Sequence, residues 1–336
     1  MRPFWKDLIL GLLIGFVLPG VVVNYTTSVA DLMTREGTSQ QQHRDREVPE
    51  TTRSVFETTA PTEASVPLTM KLRSAQGQSE LWDMDTYLVG VVLAEMPAYF
   101  EVEALKAQAV VARTYALKAG QTGGKHGDGS VCTSSMCCQA YITPEEYVSR
   151  GGTSQSVEKV QQAVAQTSGQ VLCYEGDLIE ATYFSCSGGR TEDALAVWGT
   201  DYPYLRSVES PGEGSAAHFR DSVSFSMESF AASLGISPDQ AHTIGPAAYT
   251  SGGGIREISI GGKKFTGTQL RQLLGLRSTD ITLEVKDGVV WITTMGFGHR
   301  VGMSQYGADA MAASGSDYRQ ILAYYYQGTQ LVQWIS

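Results

Sequence analysis

Positive charge is scarce in this chain. Lys and Arg number 25 against 35 Asp and Glu, which leaves a formal net charge of -10 and a pI of about 5.0. Nucleic-acid binding needs a basic footprint, so that class is excluded. A polyanionic wall polymer is a poor match as well, whereas a neutral glycan is compatible. No solenoid-type repeat is present. The G-x-S-x-G elbow is missing, and FSCSGGR (184–190) matches neither that motif nor a thiol-protease signature. Cysteines number only five, an odd count that argues against complete disulfide pairing. Long apolar runs are absent with one exception, LILGLLIGFVLPGVVV at residues 8–23.

That run, extended by residues 24–29, is expected to be a membrane anchor. No A-x-A-like cleavage site follows it, which favours an uncleaved anchor over a removed signal peptide. Arg2 and Lys6 precede it, so the positive-inside rule leaves residues 1–7 in the cytoplasm and the rest of the chain outside the membrane. Residues 30–65 are polar, with too few apolar side chains to offset the entropy of folding, and are expected to form a disordered spacer.

From Val66 onward the patterns predict an α+β fold. Leu68, Met70 and Leu72 alternate as in a strand. Asp83 or Asp85 caps a helix that should end at Glu95, because Pro97 disfavours helical geometry at Met96. An Ala-rich helix follows from about Glu101 to Ala119 and is closed by Gly120. Further helices are expected after Thr143 and over 156–166, with a hairpin of Val171–Tyr174 and Leu178–Phe184. Residues 206–290 read as an inserted α+β subdomain, with a helix over 226–234, a hairpin about Gly261 and Gly262, a helix capped by Thr268, and a strand pair turning at Asp287 and Gly288. The mixed helix/hairpin core is then 66–205 together with 291–336, ending on a helix near Asp317 to Tyr326.

Several residues could carry chemistry. Glu95 sits at a helix C-terminus, which carries partial negative charge, and Leu93, Met96 and Phe100 are placed to shield it from water. Both effects raise a carboxyl pKa, as a general acid near neutral pH requires. The same window also reads as an ordinary surface glutamate. Glu101 and Glu103 start the next helix and complement its dipole. Arg113 is either a salt-bridged charge or a ligand-positioning group beside Glu95. His126, Cys132, Cys137 and Cys138 are ligand types suited to zinc. Four protein ligands leave no open position, so such a metal would be structural, and a disulfide is the other reading outside the membrane. Ser187, in a glycine turn, could hydrogen-bond a sugar, while Cys186 paired with His299 is the minor nucleophile alternative. Ser304 also reads as a helix cap.

Three segments, VGVVLAEMPAYFEVEALKAQAVVARTYAL (89–117), ATYFSCSGGRTEDALAVWGTDYPYLRSVESPGE (181–213) and GFGHRVGMSQYGADAMAASG (296–315), closely resemble the stage II sporulation protein D family. The loop HGDGSVCTSSMCCQAY (126–141) falls in the family's order. The resemblance implies lytic transglycosylation of peptidoglycan glycan strands during spore-forming engulfment, on strands stripped of stem peptides and with no catalytic cofactor. It implies Glu95, in AEMPA, as the catalytic acid and Arg113 as a glycan-positioning group. Ser187, Tyr204, Arg206, His299, Ser304 and Gln305 would line the groove, and the His126, Cys132, Cys137 and Cys138 loop would hold structural zinc. Arg300 departs from the family's usual Gly, and either fills the glycan's path or adds a contact. The implied partners are an amidase and a second membrane protein of the engulfment machine. Non-catalytic glycan-binding amidase activators share the AEMP and GHGVGMSQ-type segments and are the rival reading, beside a zinc hydrolase built on the Cys loop.

Overall fold

Residues 68–334 are described by the computed structural model of the chain. The expected anchor (8–29) and spacer (30–65) lie outside them, and among the described residues no helix is long and apolar enough to cross a membrane. Met70 and Leu72 turn one face of strand β1 (Thr69–Arg73) inward, and β1 pairs antiparallel with β2 (Ser79–Asp83). Asp83 then caps α1 (Met84–Glu95), its carboxylate accepting from the Thr86 N–H at 2.8 Å. Met96 is extended (φ -130°, ψ 135°), the geometry Pro97 imposes, so the helix ends on Glu95.

Helix α2 (Val102–Thr122) buries Ala104, Ala107, Ala109, Ala112 and Ala116. These small side chains let several elements pack close around it. It runs past the expected Gly120 and stops at Gly123, whose φ of 86° suits a glycine. Strand β3 (Ser130–Cys132) adds to β1 in parallel. Two helices capped by Thr143 and Thr153 follow, α3 (Pro144–Ser149) and α4 (Ser154–Gln166). Strands β4 (Gln170–Tyr174) and β5 (Asp177–Leu178) form the expected hairpin, turning through Glu175 and Gly176, both at positive φ. The second arm is shorter than its apolar pattern suggests. The chain leaves the sheet after Leu178 and forms a separate strand β6 (Tyr183–Phe184), then a short helix α5 (Ala194–Trp198).

The inserted segment has a core of its own. Its elements are β7 (Arg220–Ser226), α6 (Met227–Leu234), α7 (Pro238–Ala241), β8 (Ile244–Tyr249), β9 (Ile255–Ile260), β10 (Lys263–Phe265), α8 (Gly267–Leu273), β11 (Asp280–Lys286) and β12 (Val289–Met295). They form two three-stranded sheets, ordered β10-β9-β8 and β11-β12-β7. Met227, Phe230, Leu234, Ile258 and Ile292 pack into an apolar cluster separate from that of the main body. Residues 206–219 do not belong to it, contrary to the expected boundary. Val208 joins the main core, and Glu213 is buried against main-body serines. The cap of α8 is Thr266, with Gln269 completing a capping box, rather than Thr268.

The chain returns through β13 (Met303–Ser304), which lies parallel to β6. Gly302 is required at this junction: a Cβ there would meet the Thr182 carbonyl at 2.1 Å. Helices α9 (Gln305–Ala313) and α10 (Tyr318–Tyr325) and strand β14 (Gln330–Gln333), paired with β4, complete the main body.

Candidate active site

A cleft of about 780 Å³ opens between the end of α1, the Cys loop, the β6 region and the 297–299 loop, and Glu95 lines it. Leu93, Met96 and Phe100 are all buried, as their positions around Glu95 suggest. One carboxylate oxygen of Glu95 accepts the Ala140 N–H at 2.5 Å, and the Tyr183 hydroxyl is a second donor. Burial raises the Glu95 pKa above the ordinary carboxylate value, and the two donors only partly offset it. No second carboxylate contributes to the shift. Glu95 is therefore a cleft carboxyl that holds its proton more tightly than an ordinary glutamate.

Tyr183 belongs to a chain of side chains that local sequence does not reveal. The Tyr87 hydroxyl donates to the Gln139 side-chain carbonyl at 3.1 Å, and the Gln139 amide donates to the Tyr183 hydroxyl at 3.1 Å. The relay holds Tyr183 against Glu95 from a buried side. Replacing Tyr183 with Phe removes a donor that stabilises the carboxylate. The Glu95 pKa should rise further, so the alkaline limb of the pH–rate profile should move to higher pH. Turnover should fall about tenfold, the scale of one lost hydrogen bond to a charged group. An unchanged profile and rate would detach Tyr183 from the proton-bearing carboxyl.

His299 and Gln305 also line the cleft. Burial is the main cause that pushes the His299 pKa down to about 4, so its ring is neutral near neutral pH. Its Nδ1 accepts the Val301 N–H at 3.1 Å, and its other partner is the Tyr183 backbone. With both ring nitrogens engaged, His299 is suited to holding Tyr183 in place. Trp198 is 41% exposed and lies with its ring centroid 5.3 Å from that of His299. With Tyr202 and Phe297 it gives the cleft flat apolar faces of the kind sugar rings pack on.

Five residues expected at the groove are placed elsewhere. Arg113 is fully buried, donating to Asp85 at 2.9 Å and to the Gln170 carbonyl at 3.2 Å. It ties α2 to α1 and β4 and does not reach the cleft. Removing it strands Asp85 and leaves a void, so Arg113→Ala should cost about 2–4 kcal/mol of stability, read as a lowered denaturation midpoint. A stable Arg113→Ala protein with impaired glycan handling would reverse this assignment. Ser187 and Ser304 are buried on Glu213, which accepts the Ser187 hydroxyl at 2.8 Å and the Ser304 hydroxyl at 2.5 Å. Ser304 also caps α9. The Tyr204 hydroxyl accepts the Glu180 N–H at 3.0 Å in a buried position, and Arg206 pairs with Asp201 at 2.9 Å. Cys186 is fully buried, with burial and Glu213 raising its thiol to about 12, which removes it as a nucleophile.

Arg300 does not enter the cleft. It adopts φ 65°, a left-handed conformation that explains why glycine suits the position. Its guanidinium is buried and donates to the carbonyls of Ser187 at 2.7 Å, Arg190 at 2.9 Å and Gly252 at 2.6 Å. It also lies 3.5 Å from both Glu192 and Asp280. Arg300 thus fastens the inserted segment to the main body.

The donor atoms of His126, Cys132, Cys137 and Cys138 all lie within 4.8 Å of one another, and the cysteines are free thiols. The His126 Nε2 is 3.5 Å from the Cys138 Sγ and 3.8 Å from the Cys137 Sγ, and the two sulfurs are 3.9 Å apart. Tetrahedral zinc with ordinary bond lengths sets such edges at roughly 3.5–3.8 Å. The edges among His126, Cys137 and Cys138 match zinc, Cys132 lies in the same cluster, and a metal held by all four would have no open position. Ala140, which donates to Glu95, follows Cys138 by two residues.

The profile of a family described as "Stage II sporulation protein" matches residues 73–174. The stage II sporulation protein D of Bacillus amyloliquefaciens is 38% identical over 272 residues, covering 80% of this chain and 78% of that protein. Its counterpart from Bacillus subtilis (strain 168) is 37% identical over 280 residues, covering 82% and 81%. An "Amidase enhancer" of Bacillus subtilis (strain 168) is 30% identical over 302 residues, covering 74% of this chain and 40% of that protein. The match is thus to sporulation proteins along most of the folded chain. The chain belongs to the stage II sporulation protein D family.

Proposed function

We propose that this chain is a peptidoglycan lytic transglycosylase. The observation that carries the reading is Glu95: a half-buried carboxyl, raised in pKa, in a cleft with aromatic faces, where Glu180 also lines the wall but does not act on it. Glycosidases that use water or a covalent intermediate pair two carboxyls. A lytic transglycosylase needs one. Glu95 protonates the glycosidic oxygen as the bond to carbon 1 of N-acetylmuramic acid breaks. The resulting carboxylate takes the proton from the same sugar's carbon-6 hydroxyl, whose oxygen closes a 1,6-anhydro ring. The nucleophile is tethered, so the step gains the high effective molarity of an intramolecular attack.

Zinc on His126, Cys132, Cys137 and Cys138 would serve as a cross-link. The fitting donor geometry supports this, and the full set of four ligands argues against a zinc hydrolase. The apolar run at 8–23 supports attachment to the membrane, with the folded part outside it. An amidase that strips stem peptides and a second membrane protein of the engulfment machine are the partners this reading brings. The similarity to a protein named amidase enhancer favours one rival, a non-catalytic glycan binder that activates an amidase. Purified glycan strands incubated with the protein separate the two. The transglycosylase yields 1,6-anhydro ends, and the binder yields none.

A further inference from the structure

Two cations in the cleft have no task in the chemistry above. Lys125 and Arg271 both line it, and both act on His299. They come from different parts of the fold: Lys125 from the loop after α2, Arg271 from α8 of the inserted segment. Arg271 is half-buried. Among the described residues neither has a carboxylate within ion-pair distance. Nearby arginines differ: Arg206 pairs with Asp201, Arg277 with Asp221 and Arg300 with Glu192. An acidic chain has carboxylates to spare, and a partly desolvated guanidinium without one is costly.

Arg271 is also held in place. Its Nε donates to the Arg277 carbonyl at 3.2 Å, and the same carbonyl accepts the Gly298 N–H at 3.0 Å. The side chain is thereby fixed beside the loop that carries His299, with its terminal nitrogens left for a ligand. Lys125 is fastened to the Cys137 carbonyl. Beside the carboxyl groups of Glu95 and Glu180, the cleft presents an anchored guanidinium and an ammonium in a protein whose overall charge is -10.

We infer that Arg271, assisted by Lys125, is a specificity subsite for the free lactyl carboxylate of N-acetylmuramic acid. The inference rests on the glycan-cleaving reading. Cutting the amide to the stem peptide converts a neutral lactyl amide into a carboxylate, one per muramic acid. A guanidinium fork matches a carboxylate bidentately and with charge assistance. An amide offers neither the charge nor the second oxygen. A neutral glycan is compatible with an acidic chain, and a carboxylate-bearing one becomes so where the cleft itself supplies the cations. Surface charges are screened over about 8–10 Å, so the groups placed beside the ligand, not the net charge of the chain, govern recognition there.

The test uses the full chain with three ligands, denuded strands, denuded strands whose lactyl carboxyls are reduced to alcohols, and peptide-bearing strands, each presented to the wild-type protein and to Arg271→Gln. Wild-type protein should show a KM about tenfold or more higher for carboxyl-reduced than for denuded strands. Arg271→Gln should lose that discrimination, and Arg271→Lys should recover part of it. Equal KM values for wild-type protein, or discrimination retained in Arg271→Gln, would overturn the subsite. Tighter, Arg271-dependent binding of peptide-bearing strands would assign the cations to stem-peptide carboxylates and also overturn it. Binding of all strands to Glu95→Gln protein is measured in parallel. If no strand is cleaved, the proposed activity fails, while this binding comparison still decides the subsite.

Discussion

Glu95→Gln should abolish anhydro-end formation, lowering turnover by about 100- to 10,000-fold, the usual contribution of a positioned general acid. The amide keeps the shape of the carboxyl and can still accept the Ala140 N–H, so the fold and glycan binding should survive. The stability signature has a definite sign. Burial raises the Glu95 pKa in the folded protein, so the native state holds this proton more tightly than the unfolded chain. That contribution is present below the ordinary carboxylate value and is lost as pH rises through the raised folded one. The substituted protein should therefore be at least as heat-stable as the wild type near neutral pH, with the difference vanishing in acid. A Glu95→Gln protein with near wild-type turnover would remove Glu95 from the chemistry.

Loss of the Cys-loop cross-link is the second large effect. Protein purified without added metal should carry about one zinc per chain by elemental analysis. Chelation, or Cys132→Ser, should lower the thermal midpoint by about 5–10 °C, because the loop has little apolar content to hold its shape. Activity should fall with it. The Ala140 N–H that grips Glu95 lies just past Cys138, and Cys137 and Cys138 themselves line the cleft. A stable but inactive metal-free protein would instead make the metal catalytic. No zinc, together with thiols missing from this loop after denaturation, would replace the metal with a disulfide.

What could be read from the sequence was local in origin. Glu95 at a helix end is set by Asp83 before it and Pro97 after it, and its shielding residues lie within five positions. The Cys loop is similarly compact, and its ligands converge. Arg113 reads only as a charge on a helix, because its burial depends on Asp85 and on carbonyls of Val164 and Gln170, contacts that only the packing of α1, α2, α4 and β4 creates. Ser187 and Ser304 look like free hydroxyls until Glu213, expected in the inserted segment, is found buried on them. Tyr183 and Trp198 sit inside segments that resemble the family, yet no spacing rule marks them. Arg271 was invisible for a deeper reason. Its place in the cleft depends on the inserted segment having a core of its own that sets where α8 lies, which no local pattern encodes.

The central claim is that the cut is made by the sugar's own hydroxyl and not by water, and oxygen labelling tests it directly. Denuded strands are incubated with the protein in water enriched in heavy oxygen, and the new ends are examined by mass spectrometry. The account requires 1,6-anhydro-N-acetylmuramic acid ends that carry no heavy oxygen. Reducing ends that each carry one heavy oxygen would show hydrolysis and contradict it.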